Sequence, residues 1–172
     1  DVCQYHLDRS IAPGGYLWVF PKSTHAANVG LVIPADQCRG IPAFTLLDRF
    51  IAAKYPHAKK MDRIAGGIPV GGALQTLAAD GLLAVGDAAH QADPLHGGGI
   101  DLGMAGAQMA MRVAVKALSE GEATARALSA YEKEWHRRYS GMHGALYRIR
   151  KMLKDMEQER IDRLVEKASR IP

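Results

Sequence analysis

Two short groups of residues carry most of the chemistry available to this chain. Gly86-Asp87 follows the apolar run Leu82–Val85, and Gly97-Gly98-Gly99 precedes a long stretch of helix formers that begins at Ile100. A carboxylate at the C-terminal end of a buried strand faces the crevice in which α/β sheets bind ligands. Asp87 can there accept hydrogen bonds from ligand hydroxyls. Glycines at a helix start let the backbone approach a ligand closely. They also present the unpaired N–H groups of the first turn, with the helix dipole behind them. Together the two groups suit a ligand with hydroxyls on one part and developing negative charge on another. Taken singly, each is also an ordinary tight-turn device, and a glycine cluster alone is weak evidence.

The elements that must position these groups follow from the residue pattern. Gly81–Gly86 is short and apolar, as a buried strand of the parallel type is. Tyr16–Phe20 reads as a strand by its aromatic and β-branched content, ended by Pro21; Asn28–Ile33 reads as a second, ended by Pro34. Their short polar connection predicts an antiparallel hairpin. Pro42 to Lys54 predicts a helix, with Phe44, Leu47 and Ile51 at helical spacing and Tyr55-Pro56 as its stop. Residues 63–79 are glycine-rich and read as a strand leading into a loop. A further helix runs from Ile100 to about Ser119 and ends at Gly121. Gly103 and Gly106 inside it each cost about 1 kcal/mol relative to Ala, and close approach to a neighbour is the compensating gain. From Ala123 the chain reads as a helical tail, on which Leu146, Ile149, Met152, Leu153, Met156, Leu164 and Val165 form one apolar stripe.

Composition sets outer bounds. The 172 residues are 48% hydrophobic, enough for a real core. No run of roughly 18 apolar residues occurs, so no membrane-spanning helix is expected. Cys3 and Cys38 are too few for a disulfide framework and stand in no metal-ligand spacing, so reduced thiols in a cytoplasmic protein and no metal are expected. The formal charge of +4 belongs to residues 121–172, which hold 12 Lys/Arg and 8 Asp/Glu. Acidic residues interleave with the basic ones there. A core-facing helix with a solvated charged face is the first reading, and peripheral contact with a membrane the second. Nucleic acid is excluded as a partner, since no motif accompanies the charge.

The full string GDAAHQADPLHGGGI resembles the second FAD-binding motif of the glutathione-reductase-type flavoproteins, GD followed by a loop and P-x-x-G-x-G. Gly86, Asp87, Pro94, Gly97, Gly98, Gly99 and Ile100 are the matching positions. A reduced flavin fits the ligand inferred above, with ribityl hydroxyls on one part and an anionic N1/O2 edge on another. Aromatic hydroxylases, quinone oxidoreductases and halogenases share this motif. The upstream segment narrows the choice: Tyr16, Trp18, Phe20 and Pro21, with Gly30 downstream, resemble the YxWxFP motif and following glycine of the geranylgeranyl reductases. A second glycine of that pattern is Val32 here.

That resemblance implies an external electron donor, hydride transfer from reduced FAD to one carbon of a prenyl C=C bond, and a proton for the other. The substrate implied is a geranylgeranyl chain on an ether lipid or a chlorophyll-type precursor. Tyr16, Trp18 and Phe20 share one strand face and form either a core or a wall for the prenyl chain. No proton donor is assigned; His90, His96 and Tyr16 are the candidates, and His96 stands where related sequences often carry Thr. The expected fold class is α+β / α/β. An antiparallel sheet portion of a substrate domain (1–70) precedes the C-terminal strand–loop–helix of an FAD-binding domain (71–120) and a helical tail (121–172). The chain begins as if inside a strand, without Met, and reads as a C-terminal part. It holds no G-x-G-x-x-G to receive the pyrophosphate, so alone it is expected to retain FAD weakly or not at all, to be inactive, and to be open to self-association. A flavoprotein hydroxylase or quinone oxidoreductase part, or a non-catalytic interaction module, are the rival readings.

Overall fold

Residues 2–38 and 40–170 are described by a computed structural model. The chain falls into two units, Asp1–Ala65 with Met152–Pro172 and Gly66–Lys151.

In the first unit β1 (Gln4–His6), β2 (Tyr16–Ser23) and β3 (Ala26–Val32) form an antiparallel sheet in that order. Successive side chains on a strand point to opposite faces. Leu17 and Val19 share one face and are buried, whereas Tyr16, Trp18 and Phe20 share the other and stay partly exposed. The expected hairpin is present, with Trp18 opposite Gly30. Its first strand does not end at Pro21. Pro21 pairs with Ala27, and the register shifts before Ser23. β1 reaches only to Val19, so Pro21 has one strand neighbour and occupies an edge, where sheets accept a residue without an N–H. Helix α1 (Ala43–Lys54) follows Pro42 as expected and buries Leu46. Asp48 on α1 binds Lys60 at 2.9 Å and Arg63 at 2.8 Å; the Lys60 hydrogen bond is the largest cause holding this carboxyl below its ordinary range.

The second unit departs further from expectation. Residues 66–77, expected to lie within a strand leading into a loop, contain neither helix nor strand. The expected buried parallel strand over 81–86 is instead a two-residue strand in a small antiparallel pair, β4 (Ala78–Ala79) with β5 (Leu82–Leu83), and Leu82 is exposed. Asp80-Gly81 makes the turn, with Gly81 at φ +69°. A two-residue turn of this kind returns the chain on itself, and no parallel neighbour is present among the described residues.

Helix α2 (Ile100–Ser119) has the expected bounds. It ends in a Schellman motif: Gly121, at φ +68°, donates to the Leu118 carbonyl, and Glu122 donates to that of Ala117. Helix α3 (Ala125–Lys154) starts where Asp80 Oδ1 accepts the Ala125 N–H and Thr124 Oγ1 that of Ala127. Leu128, Tyr131, Trp135 and His143 are its buried residues. Tyr131 and Trp135 join Leu77, Ala89, Leu102 and Met109 in the core of this unit. Helix α4 (Gln158–Ala168) follows a break at 155–157. The expected tail is therefore two helices, and its residues divide between the two units after Lys151. Nor is its apolar stripe wholly core-facing: Met156 is buried, but Ile149, Met152, Leu164 and Val165 are exposed. The inward face belongs to the earlier part of α3.

Candidate functional site

The loop from Gly86 to Gly99 is built by glycine geometry and closed by side chains. Val85 is extended and Gly86 turns left-handed at φ +64°. A 3-10 turn over Gly86–Ala89 follows, and His90, at φ 52°, ends it by donating its N–H to the Asp87 carbonyl at 3.0 Å. Asp87 is exposed, and its Oδ1 lies 3.2 Å from the position a Cβ would take on Gly99. Glycine at 99 thus leaves the carboxylate room beside the start of α2. Asp93 closes the loop. Its Oδ1 accepts the N–H of Leu95 at 2.7 Å and of His96 at 3.1 Å, its carbonyl accepts that of Gly97, and its own N–H goes to the Gly98 carbonyl.

The expectation that the amides at the glycine-rich helix start, Gly97 to Ile100, are all unpaired is corrected by these contacts. Gly97 donates to Asp93, and Gly98 donates to His96 Nδ1 at 3.0 Å. Gly99 and Ile100 are left, without an acceptor among the described residues. The bond from Gly98 leaves the imidazole proton of neutral His96 on Nε2, which lies 3.3 Å from Asp93 Oδ2. His90 Nδ1 lies 3.4 Å from the Gly72 carbonyl. Each histidine therefore has a backbone partner, His96 within the loop and His90 at Gly72.

Residues that sequence reasoning passed over hold this loop from behind. Gln91 is fully buried; its Oε1 accepts the Gly86 N–H at 2.8 Å and its Nε2 donates to Tyr131 Oη at 2.7 Å. Tyr131 donates in turn to the Ala84 carbonyl at 2.8 Å. Burial pushes the Tyr131 phenol above its ordinary 10.0, partly offset by the bond from Gln91. His143 Nε2 lies 3.1 Å from the Ala92 carbonyl, and Arg150 donates to that of Pro94 at 3.2 Å. Three α3 side chains thus tether successive points of one loop. Gly106 has a matching reason, since a Cβ there would stand 2.4 Å from Gln91 Oε1. The signal in the sequence was this costly helix glycine; its partner was not legible.

In the first unit, Tyr16 and Trp18 stack with ring centroids 5.8 Å apart, Trp18 and Phe20 6.1 Å apart. Tyr5 on β1 adds a fourth ring, 5.4 Å from Phe20. The Trp18 indole lies across Gly30, where a Cβ would come within 1.9 Å of it, and its Nε1–H donates to Asn28 Oδ1 at 2.8 Å. Pro21 lies just beyond the rings on the same strand.

Residues 1–69 match the family model described as the geranylgeranyl reductase catalytic domain, and residues 72–143 match an FAD binding domain. The digeranylgeranylglycerophospholipid reductase of Methanoculleus marisnigri is 40% identical over 166 residues, 94% of this chain and 41% of that protein. Its namesake in Methanospirillum hungatei is 34% identical over 172 residues, 98% of this chain and 42% of that protein.

The chain is similar to geranylgeranyl reductases.

A geranylgeranyl bacteriochlorophyll reductase-like protein of Thermoplasma acidophilum has a similar fold, with a TM-score of 0.88 and 29% identity over 96% of this chain and 43% of its own. The chain spans about two fifths of the length of the curated relatives it matches. The model matched over residues 72–143 is named for FAD, and the matched relatives are named as reductases. The residues present fit part of that cofactor: an accessible carboxylate at Asp87, the open amides of Gly99 and Ile100, and a glycine cradle that a Cβ at 99 would crowd. No described helix is long and apolar enough to cross a membrane.

Proposed function

We propose that this chain supplies the flavin-edge loop and the substrate wall of an FAD-dependent reductase that saturates C=C bonds of geranylgeranyl chains on lipids. One observation supports the reading most. The aromatic positions of the reductase motif turn outward on β2 while Leu17 and Val19 take the core, so the rings are available to a ligand.

In this reading Asp87 accepts hydrogen bonds from the ribityl hydroxyls. The N–H groups of Gly99 and Ile100, at the positive end of α2, donate to the flavin edge that gains charge. Bound FAD, once reduced by an external donor, supplies the hydride. Tyr16, Trp18 and Phe20 position an apolar chain and exclude water from it, which is most of what such a reaction asks of a protein. Pro21 and Gly30 shape that wall. The proton donor stays unassigned among Tyr16, His90 and His96. The exposed side chains of Ile149, Met152, Leu164 and Val165 support peripheral contact with a bilayer, where the substrate resides. This chain alone binds FAD weakly or not at all, because none of its glycine clusters has the spacing that receives a pyrophosphate.

The test is anaerobic incubation of the whole polypeptide that carries this chain with reduced FAD and a geranylgeranyl glycerolipid, read by mass spectrometry. Gain of hydrogen at the double bonds is expected. Dependence on O₂ with gain of oxygen would establish a hydroxylase instead, and an unchanged lipid with no flavin uptake would establish a non-catalytic module.

A further inference from the structure

Gln91 is a fully buried polar group of the second unit that the reading above does not use. Burying a carboxamide is unfavourable unless both ends are hydrogen-bonded. Here both ends are bonded, and in different directions. Oε1 holds the Gly86 N–H at 2.8 Å, and Nε2 holds Tyr131 Oη at 2.7 Å. Gly86 is the left-handed residue, at φ +64°, that turns the chain into Asp87. Its N–H is therefore fixed one residue before the exposed carboxylate.

The helix on the other side is cut to match. A Cβ at Gly106 would stand 2.4 Å from Gln91 Oε1 and 3.1 Å from its Cδ, so α2 approaches the carboxamide only because residue 106 is glycine. One turn earlier, the Cβ position of Gly103 lies 3.6 Å from Gly86 Cα. Together these glycines set α2 against the Gly86 peptide, and the start of α2 is where Gly99 comes beside Asp87. The carboxamide thus ties the Asp87 turn to the helix whose N–H groups face the same ligand.

We propose that Gln91 is a positioning residue for the flavin. Through Gly86 it fixes the Asp87 carboxylate relative to the N-terminus of α2, with Gly106 as its required complement. The inference rests on the flavin reading and adds a division of labour within the network. The Gly86 bond serves ligand geometry, whereas both bonds of Tyr131, from Gln91 Nε2 and to the Ala84 carbonyl, serve stability.

The test is made in the whole polypeptide by FAD titration, thermal unfolding and amide exchange at Gly86. Gln91→Leu keeps the volume and removes the bond; Gly106→Ala pushes the carboxamide away. Both lower FAD affinity about tenfold or more and accelerate exchange at Gly86. Gln91→Glu, which keeps an acceptor for Gly86, recovers most of the affinity. Tyr131→Phe lowers the unfolding temperature at least as much as Gln91→Leu and leaves FAD affinity within about twofold. Where Gln91→Leu does not fold, Gly106→Ala against Tyr131→Phe decides the matter. Equal loss of affinity in Tyr131→Phe, or full affinity with Gly106→Ala, overturns the inference and leaves the flavin reading intact. A wild-type protein that takes up no flavin overturns both.

Discussion

The Gly86–Gly99 loop and the aromatic face of the β1-β2-β3 sheet solve different problems. The loop has irregular backbone, so its polar groups need partners that no ladder supplies. It finds them partly within itself, at Gln91, Asp93 and His96, and partly far along the chain, where His143 reaches Ala92 and Arg150 reaches Pro94. The sheet pairs its central strand on both sides by a regular ladder, and its side chains need only alternation to divide core from outward rings. One exacting requirement is local, the absence of a side chain at Gly30 beneath the Trp18 indole. The loop's shape needs distant contacts beside its own, whereas the sheet's shape is held by neighbours.

Two substitutions break that comparison from either side. The larger effect belongs to the loop's support. Trp135 is 1% exposed and packs in the core with Tyr131. Trp135→Ala is expected to cost about 3–5 kcal/mol in urea unfolding and to free the Gly86 amide to exchange, although Trp135 touches no loop motif residue by hydrogen bond. The smaller effect belongs to the sheet. Gly30→Ala puts a methyl into the Trp18 ring and forces it off the strand, at about 1–3 kcal/mol. The chain has two tryptophans, so Trp18 emission is read alone in a Trp135→Phe background. A shift to a more solvated indole and loss of the Asn28 bond are expected. An unchanged spectrum would show that Gly30 does not set the ring.

Much of the local structure was legible beforehand. Pro42 and Tyr55-Pro56 delimit α1, and Gly121 ends α2, because these residues act on their own backbone. The β2–β3 hairpin followed from two strand-like runs with a short polar connection. The apolar run at 81–86 misled, because periodicity does not say which neighbour a strand has; Asp80-Gly81 was the local sign of a tight return. The site was legible as a motif but not as a set of contacts. Asp87 and the glycines stood out by type, whereas Gln91, Tyr131 and His143 read as ordinary loop and helix residues until folding brought them together. The four open amides became two for the same reason, since Asp93 and His96 lie close enough in space to take the others.

The central claim is that residues 86–100 hold the flavin end of FAD, and Asp87 tests it most directly. Asp87 is exposed and outside the core, so Asp87→Ala leaves the unfolding temperature nearly unchanged. Flavin titration of the whole polypeptide, followed by fluorescence quenching, is expected to show FAD affinity at least about tenfold weaker in that variant. An affinity equal to that of the wild type would contradict the account.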